Sequence, residues 1–192
     1  MVFGQGIDVF INNHTIQNEI KKFGAAYSTN IGDYLSDWFE EAQNYKGSIY
    51  SISSAKADGF VRDYQKKNLP YYAFKIEQNF NYGKKLDKVA IMEVKDQIDL
   101  LRKMMIQGND FEISNEDVVK WFIKWGNEFE YKIIGVGIDF IQADIIKEPS
   151  DYLELAKEIY SMCPDVVDQG TDTVEELARE MKANKTMYFW WD

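Results

Sequence analysis

The fold class is decided by two consecutive apolar runs, Tyr131–Ile138 (YKIIGVGI) and Phe140–Lys147 (FIQADIIK). Both runs are short and rich in isoleucine, which predicts two β-strands. No helix separates them, whereas a doubly wound fold alternates strands with helices. Gly135 and Gly137 lie inside the first run and lack the third glycine of a dinucleotide-binding turn, so we expect no nucleotide site there.

Other segments alternate in hydropathy or are rich in aromatic residues, as strands are. The pair around the glycine-containing turn Asn81–Lys85 is typical of a hairpin. The N-terminal segment is weakened as a strand by Gly4 and Gly6. The predicted strands are Val2–Ile11, Ser48–Ser53, Tyr71–Gln78, Lys88–Val94 and Thr186–Trp191.

Apolar residues at helical spacing predict several amphipathic helices. Capping boxes are predicted at Ser114 with Asp117 and at Thr173 with Glu176, and Pro149-Ser150 is expected to cap a further helix. Helices and strands therefore mingle without strict alternation. We predict an α+β fold with a mixed or largely antiparallel sheet packed against several amphipathic helices. The four helices in the first part of the chain are predicted at Thr15–Phe23, Asp33–Tyr45, Ala55–Lys67 and Asp96–Ile106.

The composition is that of a globular, soluble chain. Its 192 residues include 12 Phe, 12 Tyr and 5 Trp, which is ample for a hydrophobic core. The single cysteine, Cys163, cannot form an internal disulfide and suits a reducing compartment. There is no signal-peptide pattern and no apolar run of ~20 residues, so we expect a cytoplasmic protein without a membrane partner.

The net charge of −10 is concentrated towards the C-terminus. Residues 144–192 hold 12 acidic and 5 basic residues, a net charge of −7. Such a chain repels phosphate backbones, so we expect no nucleic-acid partner. A basic protein partner would be attracted, although net charge also serves simple solubility.

Few residues are candidates for catalysis, and we predict no catalytic residue and no cofactor. His14 is the sole histidine, and a surface or capping role suits it better than that of a base. Histidine-rich and cysteine-rich zinc sites are excluded by composition. Cys163 lies before Pro164 at a predicted helix C-terminus, where the helix dipole raises a thiol pKa, so a buried structural thiol is expected.

The carboxylates near the C-terminus are the candidates for chemistry. If the loop from Asp165 to Gly170 folds beneath the terminal strand, Asp165, Asp168 and Asp192 could bind a hard cation or act as an acid–base pair. The alternative is structural: Asp165 and Asp168 suit turns, and Asp172 suits a helix N-terminus.

Trp190 and Trp191 are adjacent, so on a strand they point to opposite faces. An exposed tryptophan beside acids is typical of a binding hot spot, whereas two buried ones would be packing. The predicted binding candidates are Asp165, Asp168, Gln169, Asp172, Trp190, Trp191 and Asp192.

Three C-terminal stretches carry a resemblance: CPDVVDQG at 163–170, TVEELA at 173–178 and YFWWD at 188–192. Together they resemble a bacterial family of domains of unknown function whose members end in Phe-Cys-Pro-Asp, Gln-Gly and Trp-Trp-Asp. Met162 replaces the usual phenylalanine. Gln107–Asp110 stands where that family often has Trp-Asn-Glu-Cys-Pro, which argues against a two-cysteine site.

The resemblance covers residues 104–192 and implies a division of the chain. Residues 1–103 are predicted to be a member-specific α+β region, and 104–192 the signature-bearing region, the two forming one compact unit. Related domains stand beside immunity-type modules in bacterial genomes. The resemblance thus implies a role in antagonism and defence.

Three functions are proposed as hypotheses. The first is a non-enzymatic acidic binding protein, in the form of an immunity protein that neutralises a basic toxin domain. The second is a metal-assisted hydrolase or small-ligand enzyme built on Asp165, Asp168 and Asp192. The third is an oligomeric structural module.

Overall fold

A computed structural model of the chain describes residues 13–67, 69, 71–79, 85–106 and 113–191. The chain divides into two compact units, Met1–Lys95 and Asp96–Asp192. The predicted strand Val2–Ile11, most of the turn Asn81–Lys85, the stretch Gln107–Asp110 and Asp192 lie outside the described residues. None of the helices in the described ranges is long and apolar enough to cross a membrane.

Among its described residues, the first unit contains four antiparallel strands, β1 (Ala26–Asn30), β2 (Gly47–Ile52), β3 (Tyr72–Glu77) and β4 (Asp87–Met92), in the order β1-β2-β4-β3. The pairing of β3 with β4 confirms the predicted hairpin, and three of the four strands were predicted. β1 was not, because three of its five residues are exposed and it lacks the alternation of a half-buried strand.

Helices α1 (His14–Phe23) and α3 (Ser54–Lys66) confirm two predicted helices of the first unit. The predicted helix Asp33–Tyr45 is wrong. The structure has a short helix α2 (Ile31–Leu35) and a 3₁₀ helix (Glu40–Asn44) instead.

The helical spacing within 33–45 is misleading because the chain buries its apolar residues without a continuous helix. Phe39 is buried although its backbone is extended, with φ −150° and ψ 128°. Trp38, which the helical pattern places on the buried face, is 55% exposed.

In the part of the second unit that the structure describes, three antiparallel strands pair in chain order. Strands β5 (Tyr131–Val136), β6 (Phe140–Ile145) and β7 (Thr186–Trp190) confirm the predicted ones. With the described strand pairs inside each unit antiparallel and helices packed beside them, the predicted α+β class is confirmed. The predicted division of the sequence at residue 104 stays a prediction.

The α-helices described beside these strands are α4 (Gln97–Met104), α5 (Asn115–Glu128), α6 (Tyr152–Met162) and α7 (Val174–Asn184). The capping box of Ser114 with Asp117 is confirmed, and Thr173 caps α7 by accepting from the Glu176 N–H. Helix α6 is capped by Asp151, not by Ser150, because the Asp151 carboxylate accepts the N–H groups of the first turn.

The core of the second unit is an aromatic stack between helix α5 and strand β7. The ring of Phe189 stacks on Trp125 at 5.9 Å and on Trp191 at 6.2 Å between centroids. Met187 and Phe189 are fully buried, and Trp191 is nearly so. Because side chains alternate along a strand, residues 186, 188 and 190 are left on the opposite face.

Candidate functional site

The C-terminal signature begins where helix α6 ends. Cys163 is the C-cap of α6, and Pro164 comes directly after it. Val166–Thr171 then forms a single π-helical turn, closed by a hydrogen bond of 2.9 Å from the Asp172 N–H to the Val167 carbonyl. The turn predicted at Asp165 is present, because the Val166 N–H bonds to the Cys163 carbonyl at 3.4 Å. The turn predicted at Asp168–Gly170 is wrong, because that part of the segment winds one residue wider than an α-helix.

Cys163 connects this segment to strand β7. Its buried thiol donates a hydrogen bond of 2.9 Å to the carbonyl oxygen of Trp190. Burial raises the pKa of the Cys163 thiol to about 12, although hydrogen bonds to backbone groups oppose the rise. Cys163 is fully buried, as the sequence predicted.

The predicted carboxylates of the signature have different partners. Asp165 is buried and accepts a hydrogen bond of 2.9 Å from the Gln169 amide. Asp168 accepts from the Tyr160 hydroxyl at 3.1 Å, and this hydrogen bond raises the pKa of Tyr160. Asp172 is exposed at the end of the π-helical turn, with φ 64°.

Metal binding at this segment needs carboxylates that converge. Among the residues that the structure describes, no group of three His, Cys, Asp or Glu is placed to hold a metal ion. Asp192, the third predicted ligand, lies outside the described residues. Asp165 and Asp168 each have a hydrogen-bond donor from the protein instead.

The two tryptophans differ in environment, as alternation on a strand requires. Trp191 is 3% exposed, and its indole N–H donates to the Met162 carbonyl at 3.2 Å. Trp190 is half-buried and packs beside Tyr188, with 5.6 Å between ring centroids. Of the predicted pair, Trp190 is the one that a ligand can reach.

Gly170 is required by the close approach of Trp190. A Cβ atom at this position would lie 2.7 Å from Cη2 of the indole, nearer than carbon atoms pack. The signature glycine thus allows the π-helical turn to lie directly against the ring. This contact sets the orientation of the Trp190 side chain.

A pocket of about 270 Å³ opens between the π-helical turn, helix α7 and strand β7. We call it the β7–α7 pocket. One part of its lining is apolar or aromatic, from Val166, Leu177, Met181, Tyr188 and Trp190. The other part is polar and includes Glu180, Asn184 and Thr186.

Glu180 is the acidic residue of this lining. It is exposed, and no described residue forms an ion pair or hydrogen bond with its carboxylate. Its neighbours on α7 differ: Glu176 pairs with Arg179, and Lys185, just past the helix, pairs with Glu148 at 2.6 Å. Asn184 lies one helical turn after Glu180, so both side chains lie on the pocket side of the helix.

Sequence reasoning did not select Glu180, Asn184 or Tyr188. A detectable pattern was present, because Glu180 and Asn184 are four residues apart on a predicted helix and Tyr188 alternates with Trp190 on a predicted strand. What the sequence lacked was the packing of α7 beside β7.

The charge is divided unevenly between the two units. Asp96–Asp192 holds 21 acidic and 10 basic residues, a net charge of −11, while the first unit holds 11 acidic and 12 basic residues. The β7–α7 pocket therefore lies in the unit that carries the negative charge of the protein.

The fold and the pocket define an α+β protein with a small, acid-flanked pocket at its C-terminal strand. A family described as a domain of unknown function (DUF4253) matches residues 88–192, more than half of the chain. The chain belongs to this family. The match begins in β4, upstream of residue 104, and includes the whole second unit. Neither the comparison with curated proteins nor that with solved structures found a match.

Proposed function

We propose that this protein is a non-enzymatic binding protein whose second unit engages a basic protein partner. The observation that carries the proposal is the β7–α7 pocket, which presents the half-buried indole of Trp190 in a unit of net charge −11. Tryptophan is the residue type most enriched at binding hot spots. Negative charge around it favours a positively charged partner.

The side chains of the signature are already hydrogen-bonded within the protein, and this supports a binding role over a catalytic one. The Cys163 thiol is protonated at neutral pH and is hydrogen-bonded to the backbone, so it lacks the character of a nucleophile. Asp165 and Asp168 accept hydrogen bonds from Gln169 and Tyr160. These contacts hold the segment that supports Trp190.

The charge of the second unit predicts how a partner associates. A unit of net charge −11 attracts a basic surface over about 10 Å at 0.1 M salt, which raises the association rate. Salt screens this attraction, so binding is expected to be faster at low ionic strength.

The narrower form of the proposal is an immunity protein that neutralises a basic toxin domain. It is supported by the charge of the second unit and by the family resemblance of the signature. Co-expression with a toxic basic domain from the same genome is expected to restore growth. If the protein protects against none of these domains, the immunity role is contradicted and the binding proposal still stands.

Affinity capture from lysate of the native cell tests the general proposal. Wild type is compared with Glu175→Lys/Glu180→Lys in the second unit and with Glu40→Lys/Glu41→Lys in the first. All four glutamates are exposed, and each variant changes the charge equally. We expect a stoichiometric basic partner whose association rate falls about tenfold only in the second-unit variant. No partner, or equal loss in both variants, contradicts the proposal.

A further inference from the structure

We infer that the β7–α7 pocket binds the side chain of one arginine of the partner, with its guanidinium group between the Trp190 ring and the Glu180 carboxylate. The inference rests on the proposed function and specifies the group that the site recognises. It depends on three properties of the pocket: its volume, its aromatic side and its unpaired carboxylate.

The volume suits a single side chain. Pockets for small-molecule ligands and cofactors usually measure about 300–1,000 Å³. The β7–α7 pocket measures about 270 Å³, below that range. Its lining includes Leu177 and Met181, whose apolar surfaces can pack against the methylene groups of a long side chain.

The aromatic side of the pocket suits a flat cation. Gly170 lies against the Cη2 end of the Trp190 ring and Tyr188 packs beside it, so the indole is already positioned before a ligand binds. A guanidinium group stacks on an indole through cation–π attraction, for which tryptophan is the strongest aromatic partner. Arginine suits this geometry better than lysine because its charged group is planar.

Glu180 supplies the countercharge. Its carboxylate has no cationic partner among the described residues, unlike that of Glu176, which pairs with Arg179 on the same helix. A carboxylate and a guanidinium form two parallel hydrogen bonds, which are stronger than bonds between neutral groups. The side-chain carbonyl of Asn184, one turn further along α7, can accept another N–H of the same group.

The same features disfavour other occupants. An anionic group would face the Glu180 carboxylate, and none of the described lining residues is basic. A purely apolar side chain would cover Glu180 and Asn184 without replacing their hydrogen bonds to water. A lysine could pair with Glu180 but would not stack its ammonium group as a plane on Trp190.

The test is a titration of the full chain, labelled with ¹⁵N at tryptophan, with Nα-acetyl-arginine methylamide. The indole signal of Trp190 is assigned with Trp190→Phe. We expect the arginine compound to shift this signal and to bind at least fivefold more tightly than its citrulline analogue, which has nearly the same shape without the charge. Lysine is expected to bind more weakly than arginine.

The key variant is Glu180→Gln, and Glu175→Gln on the same helix is its matched control. Both residues are exposed and neither pairs with a described base. Glu180→Gln is expected to weaken arginine binding about fivefold, and Glu175→Gln to leave it unchanged. Unchanged melting temperatures establish that both variants are folded.

Equal responses to arginine and citrulline, or equal affinity in the two variants, overturn the pocket assignment. An apolar or anionic analogue that binds more tightly than arginine overturns it as well. Partner capture that persists in Glu180→Gln but fails in the charge-reversed variant overturns the arginine site and leaves the proposed function standing. An arginine response without any captured partner contradicts the proposed function instead.

Discussion

The thiol of Cys163, at the end of helix α6, donates a hydrogen bond to the backbone carbonyl of Trp190 on strand β7. This carbonyl lies on the edge of β7 that faces away from β6, since the next residue, Trp191, donates its N–H to Asp139 beyond the start of β6. The single cysteine thus anchors the strand that ends at Trp190, directly before Trp191. Its role is therefore structural.

Cys163 is expected to resist thiol reagents in the folded protein. Its side chain is fully buried and its pKa is raised to about 12, so the thiolate needed for attack is scarce at pH 8. Labelling with a disulfide reagent should be at least a hundredfold slower in native protein than in denaturant. Rapid labelling of the native state would contradict the structural role.

The same thiol makes the protein less stable in alkali. Its pKa is about 12 in the folded state against 9.0 for the free side chain. The stabilisation is therefore complete below pH 9 and is lost as the pH rises from 9 to 12. Between pH 8 and 10, wild type should lose about 1 kcal/mol more unfolding free energy than Cys163→Ser, whose hydroxyl does not ionise there. Denaturant titrations at both pH values measure the difference.

Gly170→Ala is expected to destabilise the second unit by about 1–3 kcal/mol, because the new Cβ would overlap the indole of Trp190. Gly126→Ala is the control. Its Cβ would meet Tyr131 at an ordinary 3.6 Å, and alanine favours a helix interior, so a gain of about 0.5–1 kcal/mol is expected. In a Trp190→Leu background, Gly170→Ala should cost much less, and an equal cost would show that the indole contact is not the cause.

Glu158 supports the buried Trp125. Its carboxylate accepts a hydrogen bond of 2.7 Å from the indole N–H and another from Lys124. Glu158→Ala should cost about 1–3 kcal/mol, because it leaves a buried N–H without an acceptor. Glu154→Ala, which breaks only the exposed pair with Lys157, should cost less than about 0.5 kcal/mol. Thermal unfolding measures the stability of the two variants. An equal loss of stability in both would contradict the proposal that Glu158 stabilises the buried Trp125.

The pH dependence of Glu158 has the opposite direction to that of Cys163. Partial burial raises its pKa, but the hydrogen bonds from Lys124 and Trp125 outweigh burial and leave the pKa below the usual 4.5. The stabilisation is present above pH 4.5 and is lost as the pH falls through the lowered value. Glu158→Gln should remove this part of the acid sensitivity.

Trp190 and Trp191 should differ in solvent contact. Trp190 is half-buried, whereas Trp191 is 3% exposed with its N–H bonded to Met162. With 5-fluorotryptophan, the ¹⁹F signal of Trp190 should shift between H₂O and D₂O, and that of Trp191 should not. Replacing each tryptophan by phenylalanine assigns the signals. Similar shifts for the two residues would contradict the alternation on β7.

The sequence was most informative where local chemistry and tertiary packing agree. The apolar runs 131–138 and 140–147 became β5 and β6, and the capping pair Ser114–Asp117 formed as predicted. In 33–45, tertiary packing outweighed the helical spacing of the apolar residues, and Phe39 is buried although its backbone is extended. The exposed residues of β1 gave no alternation to detect.

The candidate site was predictable in position but only partly in composition. Alternation of Trp190 with Trp191 indicated that one ring lies inwards, and the buried Cys163 was expected from its place at a helix end. The roles of Glu180 and Asn184 depend on the packing of α7 beside β7, which residues far apart along the chain determine. The contact between Gly170 and Trp190 likewise depends on tertiary packing, and the sequence alone does not predict it.

The π-helical turn Val166–Thr171 makes the length of this segment a constraint separate from its composition. Removing one residue would convert the turn to α-helical winding and rotate the residues after it by about 100° around its axis. Thr173 would then no longer cap α7 in place, and the residue opposite Trp190 would carry a Cβ. We expect point substitutions at Val166 or Val167 to be tolerated far better than any one-residue insertion or deletion between Cys163 and Thr173.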